Sequence, residues 1–293
     1  MTLVDDRPRI VVAINDTSGA RAALSWAATE AVIRRTGLIL VHVPDRVAAE
    51  PYGGRDVSSR PVSDEAGSVL LRELALGTQL RHPRLAIETM LGRGDVIATL
   101  VELSGLADLV VLGTTGAGGN LASLLGSVSQ RVAVHAHCPV AIVGPGVRPL
   151  FPADRESAVV VGLSPTPAGL AAIRFAFAEA DRRGVRLTAV RAGEPRAAAS
   201  DDAELDAGRE RYPRVALDVI ATLADPVTAL LREAAGAGLL VLGAHHSEDR
   251  WSTRLGPVPQ SLVRHTSCPV VLIGSMPYED GTFGSDAATA NAV

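Results

Sequence analysis

One short stretch of this chain carries most of the chemistry it can offer. Gly113-Thr-Thr-Gly116 is followed, after nine intervening residues, by Gly126-Ser127-Val-Ser129. An apolar run, Leu109–Leu112, precedes the stretch, and a segment of helical periodicity, Ser127–His137, follows it. Gly113 and Gly116 let the backbone approach an anion and adopt positive φ where needed. Successive N–H groups can then form an anion-binding nest. Ser127 opens a helix, where free N–H groups and the helix dipole favour negative charge. The hydroxyls of Ser127 and Ser129 add donors, so a polyphosphate is the ligand this pattern suits. Ser127-Val-Ser-Gln130 also fits a capping box. Spacing alone therefore leaves phosphate binding and plain helix capping both open.

Other chemistry has less support. All 28 basic residues are Arg, which closes the Walker-A route to ATP and any Schiff-base mechanism. No triad, no paired carboxylates and no nucleophile elbow can be recognised, so no catalytic residue is assigned. His245-His246 lacks further ligands at metal-binding spacing. His135 and His137 lie near a helix C-terminus, where His is favourable without any function. Cys138 and Cys268 read as buried structural thiols. Arg93 in Gly92-Arg93-Gly94 lies at a strand end near the expected cleft, where a solvated loop residue is the first reading and phosphate contact the second.

The elements that position the stretch come in two copies. His135-Ala-His-Cys138-Pro-Val recurs as His265-Thr-Ser-Cys268-Pro-Val, and Leu109-Val-Val-Leu-Gly113 as Leu239-Leu-Val-Leu-Gly243, both at an offset of 130. Ile10–Ile14 matches Val159–Leu163 at an offset of 149, so the second copy is about 19 residues shorter in its middle. In the first copy, strands are predicted at 9–14, 38–43, 85–91, 109–112 and 140–143. Helices are predicted at 18–35 (with Gly37 as the stop), 64–80, 95–104 (with Asp95 as N-cap) and 127–137. The second copy follows with strands near Val159, Leu187, Val215, Leu239 and Val270 and a helix over 201–211. Alternation of short apolar strands and helices implies a parallel sheet with right-handed crossovers.

Gly113-x2-Gly116-x9-Gly126-Ser127 resembles the ATP-binding signature of universal stress proteins, G-x2-G-x9-G-(S/T). Ala23–Glu30, Leu40–Val43, His135–Val140, Arg174–Ala180 and Arg186–Val190 resemble that family too. The resemblance covers roughly residues 9–143 and 157–274. It implies an α/β fold of two tandem Rossmann-like domains. Each would be a five-stranded parallel sheet of order 3-2-1-4-5, with ATP (Mg optional) across the ends of strands 1 and 4. By position, Gly113, Gly116, Gly126, Ser127 and Ser129 would hold the phosphates. The backbone of Val43 would meet the adenine, and Asn15 the adenosine or phosphates. Val43 as a plain core residue, and Asn15 or Asp16 as a cap before Ser18, remain open. The family usually has Asp at position 15, and Asn keeps the size but loses the charge.

In the second copy His246 stands where Gly116 does, Pro257 where Ser127 does, and Ser164 where Asn15 does. Glu248 and Asp249 add negative charge there, so that copy is expected not to bind ATP. The family also pairs its domains through the edge strand near the C-terminus, here 140–143 and 270–273. That implies a homodimer or a pseudo-dimer within one chain.

Expected domains are thus 1–146, ATP-binding; 157–275, with a degenerate nucleotide site; and a flexible tail over 276–293. The 293 residues are 47% hydrophobic but only 3% aromatic, which suits small-aliphatic strands covered on both faces. The net charge of -4 shows no basic half, so nucleic acid is not an expected partner. No apolar run reaches the roughly 18 residues of a membrane span, and the polar start lacks a signal region. A cytoplasmic protein is expected. Its expected role is a nucleotide-dependent stress regulator with an unknown protein partner and at most weak ATPase activity. The alternatives are a slow ATPase or nucleotidyl transferase on the same fold, and a structural module with an empty loop.

Overall fold

The computed structural model describes residues 9–44, 64–114, 126–147, 158–193, 199–244, 255–274, 278–279 and 282–283. The first repeat runs β1 (Arg9–Ala13), α1 (Ser18–Arg34), β2 (Gly37–His42), α2 (Asp64–Arg81), β3 (Ile87–Leu91), α3 (Val96–Ser104), β4 (Leu109–Gly113), α4 (Ser127–His135) and β5 (Val140–Val143). The second runs β6 (Val159–Gly162), α5 (Pro167–Arg183), β7 (Leu187–Ala192), α6 (Ala199–Arg211), β8 (Leu217–Thr222), α7 (Pro226–Ala234), β9 (Leu239–Gly243), α8 (Pro257–His265) and β10 (Val270–Ile273).

The strands form one ten-stranded sheet, ordered β3-β2-β1-β4-β5-β10-β9-β6-β7-β8. Each half has the expected 3-2-1-4-5 order, and every pair within a half is parallel. The halves join through the antiparallel β5–β10 pair, with Val271 opposite Ala141. An apolar edge strand left unpaired would invite association with another chain. Here each half closes the edge of the other. Strand residues alternate between two cores. Ile10, Val12, Leu109 and Val111 lie in the core on the α1 side, whereas Val11, Val110 and Leu112 lie in the core on the α3 and α4 side. Both faces are covered, which is why the strands read as continuous apolar runs rather than alternating ones.

Several boundaries differ from the sequence reading by one or two residues, among them the end of α4 at His135 and the start of α6 at Ala199. α1 ends one residue earlier than expected, and its stop is Arg35 at φ 55 rather than Gly37, which opens β2. Within the segment expected to be a flexible tail, β11 (Tyr278–Glu279) and β12 (Thr282–Phe283) form a short antiparallel pair. Asp95 caps α3 as expected, its Oδ1 accepting the Ala98 N–H at 2.8 Å.

α1 and α5 lie side by side over the β5–β10 seam and bury charge there. Arg34 donates to Glu30 (2.5 Å) and to Glu179 (2.7 Å), and Arg183 donates to Glu30 (2.5 Å) and to Glu179 (3.1 Å). Arg182 also pairs with Glu179. Both carboxylates are at least 99% buried. Glu30 and Glu179 occupy the same position in the two repeats, as do Arg34 and Arg183, so the cluster is symmetric about the seam. Burial alone would raise the Glu30 pKa, but the Arg183 and Arg34 charges outweigh it and hold it down at about 2.

Candidate functional site

The chain order reverses between β1 and β4, the switch point at which open α/β sheets bind ligands. Val12 pairs with Val111, so carrying the register forward sets Asn15 beside Thr114. On the other side, Ile14 N–H donates to Val41 O at 2.7 Å, which brings Val43 to the same rim.

Asn15 is exposed at this rim and does not cap α1. The cap is Thr17, whose hydroxyl accepts the Ala20 N–H at 3.2 Å and donates to Asn15 Oδ1 at 2.6 Å. Asp16 turns aside to Arg21, 2.7 Å away. Val43 is half-buried. It packs so closely on Gly92 that a Cβ there would lie 2.7 Å from its Cγ2.

Gly113 and Thr114 end β4 under the first turn of α1. A Cβ on Gly113 would fall 2.4 Å from Gly19 O and 2.6 Å from Ala20 N, so glycine is required for helix–strand packing. Gly113 does not have positive φ. Gly116, with the rest of 115–125, lies outside the described residues. Across that gap Gly126 is the N-cap of α4 and Ser127 its first residue, and no side chain caps the helix. The capping-box reading of Ser127 therefore does not hold. Ser127 is exposed and Ser129 is buried. Gln130 N–H bonds to Gly126 O at 3.1 Å. The amides of Ser127, Val128 and Ser129 precede the first i→i−4 bond, as the opening N–H groups of any helix do.

The second repeat keeps the packing and loses the donors. A Cβ on Gly243 would meet Gly169 N at 2.8 Å, the same constraint as at Gly113. α8, however, begins Pro257-Val258-Pro259. Two of its first three residues have no N–H, so its dipole end offers an anion little to bond. Ser164 stands at the position of Asn15, its hydroxyl 3.4 Å from that of Thr166. His245 and His246 lie outside the described residues.

Two rim residues escaped the sequence reading. Thr114 is 99% buried, yet its hydroxyl has no partner among the described residues. Comparing the repeats would have found it, since Ala244 occupies the same position in the second. His42 is buried at the end of β2, and its Nδ1–H donates to Ile14 O at 2.8 Å, tying the ends of β1 and β2 together. Its ring lies against α2, where a Cβ on Gly67 would come within 2.6 Å of it.

Cys138 and Cys268 are free and buried, and burial pushes both thiols up, away from nucleophilic chemistry. Among the described residues there is no group of three or more His, Cys, Asp or Glu that could hold a metal. No described helix is long and apolar enough to cross a membrane.

Comparison with known proteins agrees with this architecture. The chain is 31% identical over 288 residues to the universal stress protein Rv2005c of Mycobacterium tuberculosis, covering 90% of this chain and 96% of that one. It is 29% identical over 304 residues to Rv1996 of the same organism, covering 90% and 94%. A universal stress protein structure from Archaeoglobus fulgidus superposes with a TM-score of 0.64 at 16% identity, over 91% of this chain and 98% of that one. One from Pseudomonas aeruginosa gives 0.60 at 15%, over 92% and 93%. The sequence pattern of the universal stress protein family matches twice, over residues 7–144 and 157–274, and the chain belongs to that family as a tandem-repeat member.

Proposed function

We propose that the first repeat binds ATP at the β1–β4 crevice and that the second repeat does not. The observation that carries this reading is the contrast between two equivalent helix starts. α4 opens without a side-chain cap and with the three amides of Ser127, Val128 and Ser129, whereas the matching turn of α8 carries two prolines. Ser127 and Ser129 add hydroxyls beside those amides. The orphan hydroxyl of Thr114 supplies a further donor on the opposite lip of the loop. Gly116 completes the glycine pattern of the phosphate loop. Val43 borders the adenine end and Asn15 the ribose or phosphate end.

Within this reading the protein is a nucleotide-dependent regulator, not an efficient enzyme. Asn15 carries no charge, and Asp16 is engaged by Arg21, so neither is poised to activate a water. Bound nucleotide would bias the first repeat, and the rigid seam with the second would present that state to a protein partner. The seam consumes both β5 and β10, so two chains would have to dimerise through other surfaces.

Purified protein denatured and analysed for released nucleotide tests the binding, and turnover of MgATP tests the regulatory reading. The expected result is adenine nucleotide at no more than about one per chain, with turnover far below the ~1–1000 s⁻¹ of ordinary enzymes. Fast turnover would replace the regulator by an ATPase.

A further inference from the structure

A cleft lies at the opposite end of the first repeat's strands. The starts of β1 and β2, the end of α1 and the turn before β3 enclose a cleft of about 1100 Å³. Its floor is apolar, from Ala31, Val32, Leu38, Pro83, Leu85 and Ala86. Arg9, Arg35, Arg81, Arg84 and His82 also line the cleft, with Glu88 as the one acidic residue in its lining. Glu88 is held by Arg9 at 2.6 Å. Arg81 donates to Gly77 O at 3.2 Å and so serves its own helix end. The side chains of Arg35 and Arg84 are exposed and have no hydrogen-bond or ion-pair partner among the described residues.

Arg35 makes this more than a solvated charge cluster. At φ 55 it is the one non-glycine residue with positive φ among the described residues. The second repeat has Gly184 at the same position with φ 66 and the same cap, its N–H bonding to Asp181 O as that of Arg35 bonds to Val32 O. Glycine takes this conformation freely, whereas the Cβ of any L-residue crowds the backbone there. The first repeat therefore tolerates backbone strain to carry an arginine there.

The rest of the cleft differs in the same direction. Arg81-His-Pro-Arg84 recurs as Arg211-Tyr-Pro-Arg214. In the second repeat, however, Asp181 stands where Val32 does and lies 3.9 Å from Arg214. Ala158 stands where Arg9 does. Asp218 lies 3.6 Å from Arg186. The second repeat pairs Arg186 and Arg214 with carboxylates of its own, whereas in the first Arg35 and Arg84 have no such pair among the described residues.

We infer that the cleft under the first repeat binds a small organic anion carrying two or more phosphate groups, its body on the apolar floor and its phosphates on Arg35 and Arg84. Arginine is the side chain whose planar fork matches phosphate oxygens two at a time. The cleft has room for a ligand of nucleotide size, with space to spare. The cleft lies at the opposite end of β1 from Asn15, so the inference does not rest on nucleotide binding at the switch point.

The test is calorimetric titration of the full chain with inorganic tripolyphosphate at low salt. It is done on a Ser127→Pro background, which weakens the phosphate loop, so that the effects of Arg35 and Arg84 variants report on the cleft. One binding event is expected. Arg35→Gly and Arg84→Ala should each weaken it by about tenfold or more, the cost of losing a charge-assisted bond, and Arg214→Ala should leave it unchanged. Arg35→Gly copies Gly184, so it should fold with an equal or higher melting temperature. No binding, or binding indifferent to Arg35→Gly, overturns the assignment. Tighter binding of a hexaglutamate peptide than of tripolyphosphate also overturns it, in favour of an acidic protein segment.

Discussion

Arg183 reaches across the seam between the two repeats and places its Nη2 2.5 Å from Oε2 of Glu30. Arg34 returns the contact to Glu179 at 2.7 Å. Charges this deeply buried are costly to leave alone and weak as net stabilisers when paired. Glu30→Ala should therefore cost about 3–5 kcal/mol of unfolding free energy, because the buried guanidinium groups of Arg34 and Arg183 are then left to share the single carboxylate of Glu179. Replacing Glu30, Arg34, Glu179 and Arg183 together by apolar residues of similar size should be neutral or stabilising. Chemical denaturation of the single and quadruple variants distinguishes the two effects.

The same cluster sets a pH dependence. Glu30 titrates at about 2 when folded, against an ordinary value of 4.5. The unfolded chain therefore binds the proton first as pH falls. The contribution of Glu30 is fully present above about pH 4.5 and is lost as the pH drops towards 2. Melting temperatures measured between pH 6 and pH 3 should fall, and Glu30→Gln should flatten the slope over that range. An unchanged slope in Glu30→Gln would place the acid sensitivity elsewhere.

Gly113 has a structural role that its position in the nucleotide signature conceals. A methyl group there would strike Gly19 and Ala20, and one on Gly243 would strike Gly169. Both Gly113→Ala and Gly243→Ala should destabilise, by roughly 1–3 kcal/mol, as overpacking does. Equal losses at the two sites, read by urea unfolding, would show that the glycine serves packing in both repeats. A loss of nucleotide binding in Gly113→Ala is then not by itself evidence of phosphate contact.

Thr114 offers a cleaner probe. Thr114→Val keeps the shape and removes a buried hydroxyl that has no partner among the described residues. Without nucleotide the variant should be as stable as the wild type or more so, since no protein hydrogen bond is broken. ATP binding should weaken by about 0.5–1.5 kcal/mol, the worth of one neutral hydrogen bond. A large stability loss in the absence of nucleotide would instead reveal a protein partner for the hydroxyl.

Much of this architecture was legible in the residues themselves. The apolar runs at Ile10, Leu38, Leu109 and Val140 marked buried parallel strands because both faces of the sheet are covered. The pairing of 140–143 with 270–273 followed only from the family resemblance, and the β5–β10 pair agrees with it. What stayed hidden depended on which face a side chain took. Glu30 and Arg34 sit four apart on a helix, the spacing of a solvent-exposed ion pair, and only the packing of α1 on α5 buries them. The cap of α1 proved to be Thr17 rather than Asn15 or Asp16, because the chain turns one residue later than the strand end suggests. Gly113 and Gly116 read alike in sequence, yet the packing demand on Gly113 appears only when α1 is placed over β4. Arg35 was invisible as a special residue until its φ could be set beside that of Gly184.

Calorimetric titration of ATP into the wild-type chain and into Ser127→Pro tests the central claim most directly. Ser127→Pro imports the first residue of α8, which proline tolerates at a helix start, and removes one amide and one hydroxyl from the proposed phosphate site. The account predicts about one ATP per wild-type chain and an affinity at least about tenfold weaker in the variant. Two ATP per chain, none, or an affinity unchanged by Ser127→Pro would contradict it.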